Sequence, residues 1–107
     1  MNTVLFLASI LAAVSTADYV PSGRQMVQYC DSENLEGPCF NLDDSQLKNC
    51  VQTLSATVSI DVFDGFECSM FLSGGCGPSG EKTWTAGTYN SVDAPYNEST
   101  AIDCYLL

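Results

Sequence analysis

Two landmarks recur along this chain at nearly the same interval. Gly37-Pro38 returns as Gly77-Pro78 forty residues on, and Ser59-Ile60-Asp61-Val62-Phe63 returns as Ala101-Ile102-Asp103-Cys104-Tyr105 forty-two residues on. Anchors that agree this closely indicate a duplicated unit of about 40 residues. Four short antiparallel strands fit in such a unit, which is the size of a Greek key. Two units supply two sheets whose inward faces bury each other. The expected fold is therefore all-β, with two Greek-key motifs over about residues 26–64 and 65–107 forming one β-sandwich.

The first residues lie outside the duplication. Residues 4–14 are an uninterrupted apolar run, and Ser15-Thr16-Ala17 follows with small residues at the −3 and −1 positions of a cleavage site. A span would need roughly 20 apolar residues, so 1–17 reads as a secretory signal peptide, although no Lys or Arg precedes the run. Residues 18–25 read as a lead-in rich in Pro, Ser and Gly, and 26–107 as the domain. All six cysteines (Cys30, Cys39, Cys50, Cys68, Cys76 and Cys104) fall in the domain. An even count in a small exported chain indicates a disulfide framework, each bridge contributing about 2–4 kcal/mol. Spacing leaves all of the roughly 15 pairings open. With no His and no C-x2-C, a zinc site is not expected. The expected location is secreted and extracellular.

The domain carries β signals throughout. Residues 27–30 alternate, 31–34 are a turn cluster, and 35–37 with 39–42 read as a return strand broken at Gly-Pro. Residues 43–50 hold one turn of helical pattern with a cap at Asp43 or Asp44. The strongest strand pattern is 53–63, β-branched and alternating. Asp64-Gly65 is a tight-turn dipeptide leading into a strand at 66–72. A short strand follows at 82–85, a loop at 90–99, and a closing strand at 100–107.

Finer spacing carries a family likeness. Cys30, Leu35 and Gly37 hold the spacing of an aromatic, an aromatic or apolar residue five on, and a Gly two later, with Tyr29 one place from the aromatic position. Met70, Gly75 and Gly77 repeat it, with Phe71 as the nearby aromatic. Ser59 stands at the start of a fourth strand, where the second unit has Ala101, and Ala86-Gly87-Thr88-Tyr89 contains a Gly-x-Tyr after a third strand. In these features the chain resembles the βγ-crystallin superfamily. The resemblance implies that Gly37 and Gly77 are structural turn residues, at bends where φ > 0 and close backbone approach are needed. It implies that the Ser59 hydroxyl reaches back to a backbone group of the folded hairpin. Where Ala101 lacks that hydroxyl, a cysteine bridge is expected to hold the second hairpin.

Microbial members carry a calcium signature that ends at the fourth-strand serine. Aligned to it, residues 54–59 have lost most of the oxygen ligands, and residues 96–101 keep Asn97 and Thr100. Calcium takes about six to eight oxygens, so no metal and no cofactor are expected from these remnants. Without His there is no Ser-His or Cys-His pair, and paired carboxylates are too abundant among thirteen acids to signify hydrolysis. The reading is not an enzyme. Asn97-Glu98-Ser99 is an N-glycosylation sequon in a loop. Trp84, Phe63, Phe66 and Phe71 read as core.

Arg24, Lys48 and Lys82 oppose thirteen Asp and Glu, a formal net charge of −10. That balance disfavours nucleic acid and anionic membranes and favours a soluble monomer, with a cationic extracellular protein or glycan as the partner class. Small secreted cysteine-rich chains of the superfamily include antimicrobial proteins, killer toxins, protease inhibitors and effectors of plant-associated fungi. The resemblance thus implies a secreted, non-enzymatic binding protein of the effector or toxin kind. The alternatives are a protease inhibitor acting through the loop at residues 73–82, and a calcium-binding structural protein.

Overall fold

The computed structural model describes residues 20–77 and 81–107. The signal-peptide reading of 1–17 lies outside the described residues, as does Pro78 of the second Gly-Pro pair. Eight strands run through the described residues: β1 (Gln25–Cys30), β2 (Cys39–Asp43), β3 (Cys50–Gln52), β4 (Ser59–Val62), β5 (Phe66–Phe71), β6 (Lys82–Trp84), β7 (Gly87–Tyr89) and β8 (Ala101–Leu106). They form two four-stranded sheets, in the orders β2-β1-β4-β7 and β3-β8-β5-β6, with every pairing antiparallel.

The duplication is visible in that order. Each sheet contains the second, first and fourth strands of one unit, completed by the third strand of the other unit. The registers repeat as well. Val27 faces Val62 and Tyr29 faces Ile60 in the first sheet; Cys68 faces Cys104 and Met70 faces Ile102 in the second. These residues alternate along their strands, so one face of each sheet is apolar, and the two faces meet in a core that also takes Met26, Phe66, Trp84 and Val92. Met26 joins Val27 inside because the β1–β2 register shifts between Gln25 and Val27, a bulge that re-aims one side chain.

Full burial of such side chains contributes about 1.5–3 kcal/mol each, a gain that backbone ordering nearly cancels in a domain this small. The bridges therefore matter. All six cysteines are paired: Cys30–Cys39 across β1 and β2, Cys68–Cys104 across β5 and β8, and Cys50–Cys76 from β3 to the loop after β5. By register, Cys68 and Cys104 take the places that Val27 and Val62 hold in the first unit, so one bridge lies inside the core.

Several elements differ from the sequence reading. Residues 35–37 are not strand: Glu33–Leu35 is a 3-10 turn in which Asn34 and Leu35 have φ of 62° and 57°, and pairing begins only at Cys39. The strand pattern at 53–63 is strand only over Ser59–Val62, because the chain crosses from one sheet to the other. Thr53 N donates to Thr100 O at 3.0 Å, and Val58 N to Cys30 O at 2.8 Å. Cys50–Gln52, unmarked by any pattern, is the third strand of its unit. Asp64-Gly65 does not close a hairpin; with Gly65 at φ +90° it carries the chain from β4 in one sheet to β5 in the other.

Residues 22 and 23 of the lead-in are tied to the domain. The buried Asp44 carboxylate accepts from Ser22 N at 3.0 Å and Gly23 N at 2.9 Å, while Asp43 is the cap, accepting from Ser45 N.

Candidate functional site

The strand directions gather four segments at one end of the sandwich: the β1–β2 hairpin (31–38), the β3–β4 crossing (53–58), the loop after β5 (72–77) and the β7–β8 segment (90–100). Hydrogen bonds lace them together. Asn34 N donates to Asn90 O at 2.9 Å, Ser91 Oγ to Glu33 at 2.9 Å, Val92 N to Val58 O at 2.7 Å, and Thr57 N to Asn97 O at 3.1 Å.

The first hairpin folds back over its own sheet, and Ser59 holds it there. The fully buried Ser59 hydroxyl donates to Ser32 O at 2.6 Å and accepts from Leu35 N at 2.9 Å. Gly37 has φ +75°, and a Cβ there would lie 2.5 Å from Asp31 Oδ1. Ala101, which occupies the place of Ser59, offers no hydroxyl. The second hairpin is held instead by Cys50–Cys76, by Gln52 Nε2 donating to Gly74 O at 3.0 Å, and by Thr100 Oγ1 donating to Leu72 O at 3.2 Å. Gly77 does not mirror Gly37: its backbone is outside the left-handed region and a Cβ would meet nothing within 4 Å. With the covalent bridge one residue away, no tight bend is required at Gly77.

Between the crossing and the β7–β8 segment lies an open groove of about 290 Å³, lined by Thr53, Leu54, Ser55, Ala56, Glu98, Ser99 and Thr100. Its two walls touch where Thr53 meets Ser99 and Thr100, and again where Thr57 meets Asn97. Residues 54–56 bow outward between those contacts. Tyr29 OH accepts from Leu54 N at 3.1 Å and fixes the bow, which leaves the Leu54 side chain 74% exposed on the rim. Neither the groove nor Leu54 had a sequence signal beyond an apolar residue inside a strand-like run.

The sequon faces the same region. Asn97 is half-buried, its Oδ1 enclosed with no hydrogen-bond partner, and Ser99 is buried with its hydroxyl on Tyr96 O. For calcium, the groove offers hydroxyls and the single Glu98 carboxylate. Among the described residues no group of three His, Cys, Asp or Glu is placed to hold a metal ion. Trp84 and Phe66 lie in the core and Phe71 is buried, while Phe63 packs against the core half-buried.

No protein-family model matches the sequence, and no curated protein does. Solved structures do. The chain superposes on the N-terminal domain of protein S with a TM-score of 0.63 at 10% identity, covering 77% of this chain and 97% of that one. It superposes on a βγ-crystallin domain from Clostridium beijerinckii with a TM-score of 0.60 at 13% identity, covering 75% and 97%. The fold is that of the βγ-crystallins.

On this βγ-crystallin frame one ionisable group is out of place. Asp103 lies on the outer face of β8, opposite Cys50 on one side and Ser69 on the other. Its Oδ1 is buried without a hydrogen bond. Burial, then the nearby Glu81 charge, raises its pKa above the ordinary 3.8. Because the folded state holds this proton more tightly than the unfolded chain, stability falls as pH rises from the ordinary value through the raised one. Asp103→Asn is therefore expected to melt higher than the parent at pH 7, the gain shrinking as the pH is lowered towards 4. A gain independent of pH would exclude the carboxylate as its source.

Proposed function

We propose that the protein is a secreted, non-enzymatic binding protein of the effector or toxin kind, which engages an extracellular protein or glycan through the loop end of its sandwich. The observation that carries this reading is the groove beneath Leu54. A large apolar side chain this open, held in place by a backbone hydrogen bond beside a polar cleft, is the kind of anchor that partners bury. The groove's hydroxyls have no imidazole beside them to activate a nucleophile, because the chain has no histidine. Three disulfides fit an oxidising compartment, and among the described residues no helix is long and apolar enough to cross a membrane. The net charge of −10 disfavours nucleic acid and anionic bilayers as partners and favours a monomer.

Residues 18–107, immobilised and exposed to extracellular protein and cell-wall glycan fractions, are expected to retain a specific ligand that Leu54→Ser loses. Retention unchanged by that substitution would rule out the loop end as the binding surface.

A second reading, protease inhibition, is favoured by the loop after β5. Residues 72–75 are exposed, with Cys76 bonded to Cys50 and the Leu72 and Gly74 carbonyls held from behind by Thr100 and Gln52. Such bracing lowers the ordering cost of binding. Full residual activity across serine, cysteine and metalloproteases incubated with the protein would eliminate it.

A further inference from the structure

We infer that the groove between residues 53–56 and 98–100 takes a basic peptide segment with an apolar side chain next to its lysines or arginines. This rests on the proposed binding role and names its partner class. Charge distribution is the first ground. The loop end carries Asp31, Glu33, Glu36, Asp93 and Glu98, and among the described residues none of them is neutralised by an ion pair. The basic residues stand elsewhere or are already engaged. Arg24 lies by the Asp64 turn at the far end, Lys48 next to Cys104 O, and Lys82 over the rings of Trp84 and Tyr96. A cationic segment arriving at this end meets those carboxylates, with the Lys82 ammonium, already held over the Trp84 and Tyr96 rings, as the opposing charge.

The shape and chemistry of the groove are the second ground. Leu54 gives an apolar contact on the rim, and Glu98 gives a carboxylate on the opposite wall. The Thr57 N to Asn97 O bond joins the two walls next to the groove, and Thr57 Oγ1 and Asn97 Oδ1 are enclosed without partners. Ammonium and guanidinium groups donate and never accept, and the groove offers them the Glu98 carboxylate and the Thr53, Ser55 and Thr100 hydroxyl oxygens, whose own protons are already given to backbone carbonyls. Apolar insertion alone would leave Glu98 unpaired, and charge alone would leave Leu54 in water. A segment carrying both satisfies both walls.

The test uses residues 18–107 and two synthetic decapeptides, one with lysines around a central leucine and one with glutamates in their place. The lysine peptide is expected to bind, with shifts in the NMR signals of residues 53–56 and 98–100. Leu54→Ser should weaken it about tenfold and Glu98→Gln about fivefold. Asp64→Asn, which removes one charge at the far end, should leave it within about 1.5-fold. Equal weakening by Glu98→Gln and Asp64→Asn would show a diffuse field without a site and overturn the inference. So would equal binding of the glutamate peptide, or binding of a glucosamine oligomer in the groove in place of the peptide. If the lysine peptide fails while Leu54→Ser still abolishes capture of an extracellular ligand, the basic occupant is wrong and the binding role stands. If Leu54→Ser leaves that capture intact, the ligand binds elsewhere, and the loop end as the binding surface falls together with the inference.

Discussion

Cys68→Ala/Cys104→Ala is expected to lower the free energy of unfolding by about 5 kcal/mol, enough to leave a domain of this size largely unfolded at 37 °C. Restricting the unfolded chain accounts for about 4 kcal/mol, since the bridge closes a separation of 36 residues. That contribution barely distinguishes it from Cys50–Cys76, whose separation of 26 gives about 3.5 kcal/mol. Burial separates the two. Cys68 and Cys104 are 0% and 1% exposed inside the core, so truncation also leaves a void that adds about 1–2 kcal/mol. Cys50 is exposed and its removal leaves none.

The internal duplication offers a control. Val27 and Val62 fill the equivalent places in the first unit without a bridge, so Cys68→Val/Cys104→Val should recover the void's share while losing the cross-link. Urea unfolding of the three double variants measures this order. Exposure also sets the order of reduction: limiting dithiothreitol followed by alkylation and mass spectrometry should label Cys50 and Cys76 first. A Cys50→Ala/Cys76→Ala variant less stable than Cys68→Ala/Cys104→Ala would contradict the placement of the core bridge.

The fold was legible where the sequence repeats and opaque where the chain changes sheets. Ser59-Ile60-Asp61-Val62 and Ala101-Ile102-Asp103-Cys104 read alike because both are central strands with one face in the core, and burial on one face imposes alternation. Cys50–Gln52 and Gly87–Tyr89 left no such mark. Each has three residues at a sheet edge and pairs with the other unit, so its place depends on contacts distant in sequence. The same distance hid the disulfide pairing: Cys76 meets Cys50 only because the loop after β5 folds back over β3.

The groove was hidden for a different reason. Residues 53–58 are β-branched and apolar enough to pass for strand, yet they cross between layers, and the bow at Leu54 depends on the hydroxyl of Tyr29, twenty-five residues earlier. Ser59 and Gly37 were marked by their spacing and hold the folded first hairpin, whereas Gly77, marked in the same way, lies outside the left-handed region next to the Cys50–Cys76 bridge.

The folded first hairpin depends on two small residues, and Ser59→Ala is expected to cost about 2–3 kcal/mol. The hydroxyl is the partner of both Ser32 O and Leu35 N, and each enclosed backbone group left unpaired costs about 1–1.5 kcal/mol. Gly37→Ala should cost about 1–2 kcal/mol, almost all of it from forcing an L-residue to φ +75°. The two closest contacts, Asp31 Oδ1 and Ser32 Oγ, are side-chain ends that can swing away, and Ser32 Cβ at 3.2 Å needs only a small shift, so the steric share is small for Ala and larger for Gly37→Val. Gly75→Ala is the control. It has open space and no left-handed backbone, and should stay within about 0.5 kcal/mol.

Both changes act on residues 31–38, so Ser59→Ala/Gly37→Ala should cost less than the sum of the singles, because a hairpin already released has no more to lose. Hydrogen exchange then locates the effect. In Ser59→Ala, protection falls at Leu35 and leaves the loop after β5 unchanged; in Cys50→Ala/Cys76→Ala it falls at residues 72–76 and leaves 31–38 unchanged. Loss of protection in both hairpins from either variant would mean that the two locks are not the separate devices the two units use for the same bend.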